Sequence, residues 1–274
     1  MVDQRLHNIF RRGSKTYFTN SLFFPDDVKD DVFVLYSFVR EADNYVDAVP
    51  QDGKGFKEFR KRFDRSRTGS VTDDIVIDSF SDLMDKRDFK NDWAEAFLDS
   101  MEMDMYKREY ETINELLEYI YGSAEVIGLM MAKILGVSER YHENARDLGK
   151  SMQLINFIRD IDEDNALGRT YMPREDLERF GLTSLHRSEV FSNREAFLDL
   201  ISLEIGRYRE WQESAERGFV GIPKRYLPPI QNASEMYNWT ASRIVSDPFI
   251  VFREKVKPSK ARILANFYIT RLFP

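Results

Sequence analysis

Cysteine is absent from the 274-residue sequence. That removes a disulfide framework, a thiolate zinc site and a thiol nucleophile, and it leaves the redox compartment undetermined. Histidine is nearly absent: His7, His142 and His186 stand far apart, and each is read as a surface or capping residue rather than a ligand. With sulfur and imidazole ligands so scarce, the metal this composition admits is a hard cation held by oxygen. Glycine is scarce too, and no period-two alternation reaches strand length, so no sheet is expected. No apolar run approaches the ~20 residues a membrane span needs. The opening residues Met1–Asn8 are too polar for a signal peptide. These exclusions predict a cytoplasmic chain without a transmembrane segment, with peripheral membrane contact left open. A net charge of −7 argues against nucleic acid as the main partner. Oligomeric state is not legible.

What is present is apolar surface and helix periodicity. The chain is 42% hydrophobic and 14% aromatic, enough to bury a sizeable core. Pro25-Asp26-Asp27 places a proline and acids at a helix start, and that helix is expected to run to about Val46. Further helices are expected over 55–65, 73–86, 91–106, 193–217, 230–246 and 261–272, with a short one between Pro173 and Gly181. Residues 116–132 are apolar nearly all round, which predicts a buried helix capped by Gly136. Its small residues Gly122, Ser123, Ala124 and Gly128 leave room either for a neighbouring helix or for a ligand cavity. Asp104, among the methionines of the 91–106 helix, is read as an inward-facing acid. The expectation is an all-α single domain over residues 1–274.

Two stripes stand out against this background. Residues 149–164 read as one helix, on which Gly149, Gln153, Asn156, Asp160 and Asp164 recur at steps of four, three, four and four and so share a face. Arg159 and Glu163 lie beside them. On the helix after Pro25, Tyr36, Arg40, Asp43 and Asp47 repeat the pattern. One Asp-x-x-x-Asp pair in a chain with 47 acids is ordinary surface decoration; two, each with an arginine and aligned polar residues on an apolar helix, are not. Aspartates four apart repel, so neutralising Asp160 alone is expected to abolish activity while costing little stability.

Two helices facing each other with such pairs suit magnesium, which keeps several waters and is held by carboxylates together with substrate phosphates. The free positions fit a diphosphate, and neutralised diphosphate is a leaving group. What remains is a carbocation, which needs a dry aromatic cavity. Tyr17, Phe18, Tyr36, Tyr119, Tyr121, Phe157, Tyr171 and Tyr237 are the candidate walls. The basic, hydroxyl-rich segment Arg11–Phe18 is a candidate anion clamp.

The sequence resembles the squalene/phytoene synthase family from about Ser14 to Lys260. The resemblance rests on Tyr36-x3-Arg40-x2-Asp43-x3-Asp47, on Gly149-x3-Gln153-x2-Asn156-x2-Arg159-Asp160-x2-Glu163-Asp164-x3-Gly168-Arg169-x-Tyr171-x-Pro173, and on Tyr121–Gly128. It implies an isoprenoid synthase fold, a helical domain around a central cavity, and head-to-head condensation of two prenyl diphosphates. It further implies that Asp43, Asp47, Asp160 and Asp164 hold magnesium. Ser14, Tyr17, Tyr36, Arg40, Gln153, Asn156, Arg159 and Lys255 would contact substrate, and Tyr121, Tyr171, Tyr237 and Arg40 would serve the chemistry. Asn44 stands where the first signature often has a second adjacent aspartate. Lys255 stands where relatives often carry arginine, which gives up the bidentate fork. Glu125 matches phytoene-type rather than squalene-type members. The implied product is phytoene from two geranylgeranyl diphosphates, with squalene or dehydrosqualene from farnesyl diphosphate as the alternative. NADPH enters only if squalene is the product. A non-catalytic binding or assembly protein is disfavoured because all four aspartates are retained.

Overall fold

Several helix ends fall where the sequence supplies caps. In the computed structural model, which describes residues 3–13 and 15–272 without the side chains of residues 15, 16 and 270–272, Asp52 accepts from the Gly55 amide at 2.8 Å and opens α4 (Gly53–Arg67). Asp74 does the same for α5 (Ile75–Arg87), accepting from the Val76 amide at 3.1 Å. Thr112 opens α7 (Ile113–Ile120), accepting from the Glu115 amide at 3.2 Å. Each side-chain oxygen satisfies an amide that the first helical turn leaves free. The acids after Pro25 open α3 (Asp26–Asp47), as expected. Gly136, at φ +68°, closes α8 (Val126–Leu135) in a left-handed turn that other residues adopt reluctantly.

Among the described residues every regular element is helical. Before α3 come α1 (Gln4–Gly13) and α2 (Lys15–Ser21), where no helix was expected. After α5 comes α6 (Asn91–Tyr106). The buried helix expected over 116–132 is in fact α7 and α8 joined by a π-helical turn at Tyr121–Glu125. The helix expected over 149–164 is interrupted: α9 (His142–Arg159) ends at Asp160, whose backbone (φ −98°, ψ 12°) leaves the helical region, and α10 (Ile161–Ala166) continues from it. The remaining elements are α11 (Arg174–Arg179), α12 (Arg187–Ser192), α13 (Arg194–Arg217), α14 (Leu227–Ser246) and α15 (Lys260–Leu272).

α9 is the axis of the molecule, packed on α8, α13, α14 and the π-helical turn. Two apolar clusters lie on its two sides. One is built from α1, α3, α4, α5, α6 and α8 around Phe38, whose ring stacks on Phe80 at 3.8 Å and meets Phe59 and Phe63 at 5.4 Å. The other is built from α7, α9, α13, α14 and the loops between them, around Phe157, Tyr171 and Phe197. Close approach of the backbones depends on two glycines. A Cβ at Gly122 would stand 2.0 Å from the Ala96 carbonyl of α6, and one at Gly128 would stand 2.2 Å from the Ala145 carbonyl of α9. The small-residue helix therefore packs on neighbouring helices and borders a cavity at once, since Ser123, Ala124, Ile127 and Gly128 also line the space between the clusters. Two histidines depart from expectation. His7 meets Phe18 edge-on at 5.1 Å and His142 faces Trp93 at 6.4 Å, both half-buried in packing; His186 is exposed at the start of α12.

Candidate active site

The space between the clusters is a cavity of about 1000 Å³, lined by both polar and apolar residues. Polar residues come from α3 (Arg40, Asp43, Asp47), α6 (Asp104), α9 (Gln153, Asn156, Arg159), the α9–α10 junction (Asp160, Glu163, Asp164) and the loop residue Arg169. Apolar walls come from Phe24, Val32, Leu35, Phe97, Met101, Met131, Leu135, Met152 and Met236.

Helical spacing brings the acids of each stripe together, and the fold then supplies cations to each. Arg40, one turn before Asp43, pairs with it and lies 3.9 Å from Asp47. Gly13 makes this possible, because a Cβ there would sit 2.8 Å from the Arg40 stem. Arg169, 5% exposed, approaches Asp47 at 3.5 Å while donating to the Val46 and Asp104 carbonyls at 2.9 and 3.3 Å. On the other side, Arg159 binds Asp160 through both fork nitrogens, with Nε to Oδ1 at 2.8 Å. Lys255 pairs with Glu163 and reaches Asp160 at 3.3 Å.

The four aspartates differ electrostatically. Burial, reinforced by Asp47, pushes the Asp43 carboxyl up to about 7. Burial, reinforced by Asp160, pushes Asp164 up to about 8. Burial opposes ionisation of Asp160 as well, but the Arg159 hydrogen bonds and the Arg159 and Lys255 charges outweigh it and hold Asp160 below its ordinary value. The expectation that Asp160 is a strained member of a repelling pair is thus corrected: the strain falls on Asp164 and Asp43. Asp162 lies off the cavity and pairs with Arg187 at 2.7 Å, a surface acid.

Between the stripes sits Asp104, 4% exposed, accepting from the Tyr119 hydroxyl at 2.7 Å and the Tyr171 hydroxyl at 2.9 Å. Tyr171 stacks on Phe157 with centroids 4.2 Å apart. Tyr17 and Tyr237 share a hydroxyl–hydroxyl hydrogen bond, and Tyr237 also bonds Asn156. Burial first, then the neighbouring oxygens, pushes the Tyr17, Tyr119 and Tyr171 phenols up, so these groups stay neutral across the working range. Tyr36 stacks on Phe10 at 3.9 Å with its ring at the cavity wall.

Of the sequence-predicted residues, the cavity gathers Tyr17, Tyr36, Arg40, Asp43, Asp47, Gln153, Asn156, Arg159, Asp160, Asp164, Tyr171, Tyr237 and Lys255. Ser14 lies outside the described residues. Tyr121 and Phe18 are not at the wall. The Tyr121 ring lies beneath Arg146, 5.5 Å away; two positions after Tyr119 on a helix, it points to nearly the opposite side. Phe18 packs on Phe10 and Phe33 instead. Sequence reasoning missed the bridging part of Arg169, which is 122 positions from Asp47 and was legible only as part of a motif. It also missed Lys257, whereas Arg12 of the candidate anion clamp does line the cavity.

Among the described residues no three acids or histidines already converge as a metal cage. The donors are nevertheless of one chemistry. They are carboxylate oxygens, two of which (Asp43 and Asp164) would hold a proton near neutral pH unless a cation relieved them. That set fits a hard divalent cation arriving with an anionic ligand, rather than a prebuilt cage.

Residues 10–262 match the model of the family described as squalene/phytoene synthase. The chain is 28% identical over 263 residues to a 15-cis-phytoene synthase of Paracoccus sp. (strain N81106 / MBIC 01143), covering 91% of this chain and 84% of that protein. It is 30% identical over 237 residues to a phytoene synthase of Pseudescherichia vulneris, covering 82% and 76%. Among solved structures, a ligand-bound dehydrosqualene synthase superposes with a TM-score of 0.81 at 21% identity, over 98% of this chain and 95% of that one. Squalene synthase HpnC from Alicyclobacillus acidocaldarius does so at 0.77 and 20%, over 88% and 92%. At these identities the structural likeness concerns the fold.

Proposed function

The chain belongs to the squalene/phytoene synthase family of prenyltransferases, and on that premise we propose that it condenses two geranylgeranyl diphosphates head to head into phytoene. The observation that carries this reading is one cavity lined both by the two aspartate pairs with their Arg and Lys partners and by apolar walls. The names of the sequence relatives point to the twenty-carbon substrate.

In the proposed reaction one substrate loses diphosphate, and its C1 cation is attacked by the double bond of the second. Loss of a proton then gives a cyclopropylcarbinyl diphosphate. Departure of the second diphosphate, rearrangement and loss of another proton give the hydrocarbon. Arg159, Lys255, Arg40, Gln153 and Asn156 orient the diphosphates, charge-assisted contacts being the strong ones. Asp43, Asp47, Asp160 and Asp164 would hold magnesium, whose charge, when bound, makes diphosphate a competent leaving group. The neutral rings of Phe157, Tyr171, Tyr17 and Tyr237 face the carbocation with π density and no nucleophilic anion. Asp104 holds the Tyr171 ring in place through its hydroxyl. The departing diphosphate can itself accept the protons that must leave.

The test is to incubate the protein with magnesium and either farnesyl or geranylgeranyl diphosphate, with and without NADPH, and to identify the hydrocarbon. Phytoene from the twenty-carbon substrate, independent of NADPH, is expected. Squalene or dehydrosqualene from the fifteen-carbon substrate would replace this reading with the shorter-chain reaction. No hydrocarbon from either would remove catalysis altogether.

A further inference from the structure

α14, the turn Pro248–Phe252 and α15 converge on a second, smaller pocket. On α14, Trp239 and Arg243 stand four positions apart and so share a face. After the turn, Val256 is 3% exposed and supplies an apolar patch of lining, with Lys255 and Lys257 on either side of it in the chain. Arg262, near the start of α15, lays its guanidinium 4.8 Å from the Trp239 ring. The space these residues enclose is about 430 Å³, within the range that holds small ligands.

Its lining is basic. Arg243, Lys255, Lys257 and Arg262 face a single acid, Glu254. Lys255 is already engaged with Glu163 and Asp160, but Arg243, Lys257 and Arg262 make no ion pair among the described residues. Partial burial first, then the like charges of Lys255 and Arg159, pushes the Lys257 ammonium below its ordinary value. Cations gathered in this way repel one another, and an anion among them would relieve the repulsion. Guanidinium forks and ammonium groups are the donors that hold phosphate oxygens. Trp239 and Val256 are the apolar lining, too little to house a prenyl tail. The pocket also meets the cavity, because Lys255 and Lys257 line both.

We infer that this pocket binds inorganic diphosphate, with Arg243, Lys257 and Arg262 as its ligands and Lys255 at the passage from the cavity. An anion moving this way leaves cations that Asp160 and Glu163 already neutralise, and reaches cations that no acid pairs. The difference in charge draws it outward. Diphosphate held there is also removed from the carbocation that could recapture it. That role, receiving the diphosphate which condensation releases, rests on the proposed reaction; the binding does not.

Titration calorimetry with inorganic diphosphate in the presence of a chelator tests it. Without a divalent cation the aspartates of the cavity repel diphosphate, so the basic pocket is the site that is read. The wild-type protein is expected to bind a single equivalent. Arg243→Gln combined with Arg262→Gln should weaken binding about tenfold, since two charge-assisted contacts at a solvent-open site are lost. Lys54→Gln combined with Lys57→Gln, on exposed positions of α4, makes the same change of net charge and should leave binding as it was. Both variants should keep their far-UV circular dichroism. No binding by the wild type, undiminished binding by the pocket variant, or equal weakening by the α4 variant overturns the inference. Geranylgeranyl diphosphate supplies a second arm under the same conditions. If the pocket substitutions weaken its binding as much as they weaken that of inorganic diphosphate, the pocket serves a substrate headgroup and the inference fails. Diphosphate binding intact in a protein that forms no hydrocarbon would strike the proposed function alone.

Discussion

Replacing Asp164 by asparagine should stabilise the metal-free protein at alkaline pH while removing its response to magnesium. The Asp164 carboxyl has an ordinary value of 3.8 and is raised to about 8 in the fold, by burial and then by Asp160. Below 3.8 the folded and unfolded chains are both protonated, and the group has no effect on stability. Between 3.8 and 8 the unfolded chain is ionised while the fold retains the proton, so stability falls as pH rises. Above 8 the loss is constant. At 1.36 kcal/mol per pH unit the penalty at pH 8 is at most about 5 kcal/mol. Water in the cavity and relaxation around the carboxyl lower this, since an effective dielectric near 20 describes such sites, and about 1–3 kcal/mol is expected. In chelator-treated samples Asp164→Asn should therefore melt roughly 3–10 °C above wild type at pH 8, with the gap closing near pH 4. Magnesium added at pH 8 should raise the melting temperature of the wild type and leave that of the variant unmoved. A variant that melts below wild type at pH 8, or a gap of the same size at pH 4 and pH 8, would refute the reasoning.

Three further outcomes follow from named contacts. Asp160→Asn should lose about 1–3 kcal/mol above pH 4, because it leaves the half-buried Arg159 fork without its carboxylate; urea unfolding at pH 4 and pH 7 reads the difference, and turnover should be lost as well. Arg207→Leu should cost about 3–5 kcal/mol in chemical denaturation. It strands Asp176, bound at 2.5 and 3.0 Å, and the fully buried Glu204, bound at 2.8 Å, as unpaired charges. Gly149→Ala sets a methyl group 2.5 Å from the Ala124 carbonyl, so α9 must move away from the π-helical turn. The expected cost is about 1–3 kcal/mol, and kcat should fall more than KM rises, since Gln153, Asn156 and Arg159 ride on the helix that moves.

How far the sequence carried the reading depends on the range of the interactions involved. Arg40, Asp43 and Asp47 lie within two turns of one helix, so spacing alone placed them on one face. The same arithmetic worked for Gly149, Gln153 and Asn156. It missed the interruption at Asp160, because the apolar period runs on undisturbed through Ile158 and Ile161 while a single residue leaves the helical region. Tyr121 was expected at the wall, yet two positions after Tyr119 a helical side chain points to nearly the opposite side, and it is Tyr119 that lines the cavity. The distribution of charge strain was beyond it altogether. Asp160 is relieved by its chain neighbour Arg159 and by Lys255, 95 positions away, while Asp164 has no ion pair of its own among the described residues; only the fold makes one aspartate comfortable and the other costly.

The two apolar clusters meet across a seam that is largely the cavity itself, with Tyr17 packed against both. A hydrocarbon chain lying in that seam touches Phe97 and Leu135 on one side and Phe157 and Tyr237 on the other, and it turns two cores into one. The ligand is then a piece of the interior. The occupied protein should unfold as a single cooperative unit, whereas the empty one can open along the seam and exchange its amide hydrogens there first.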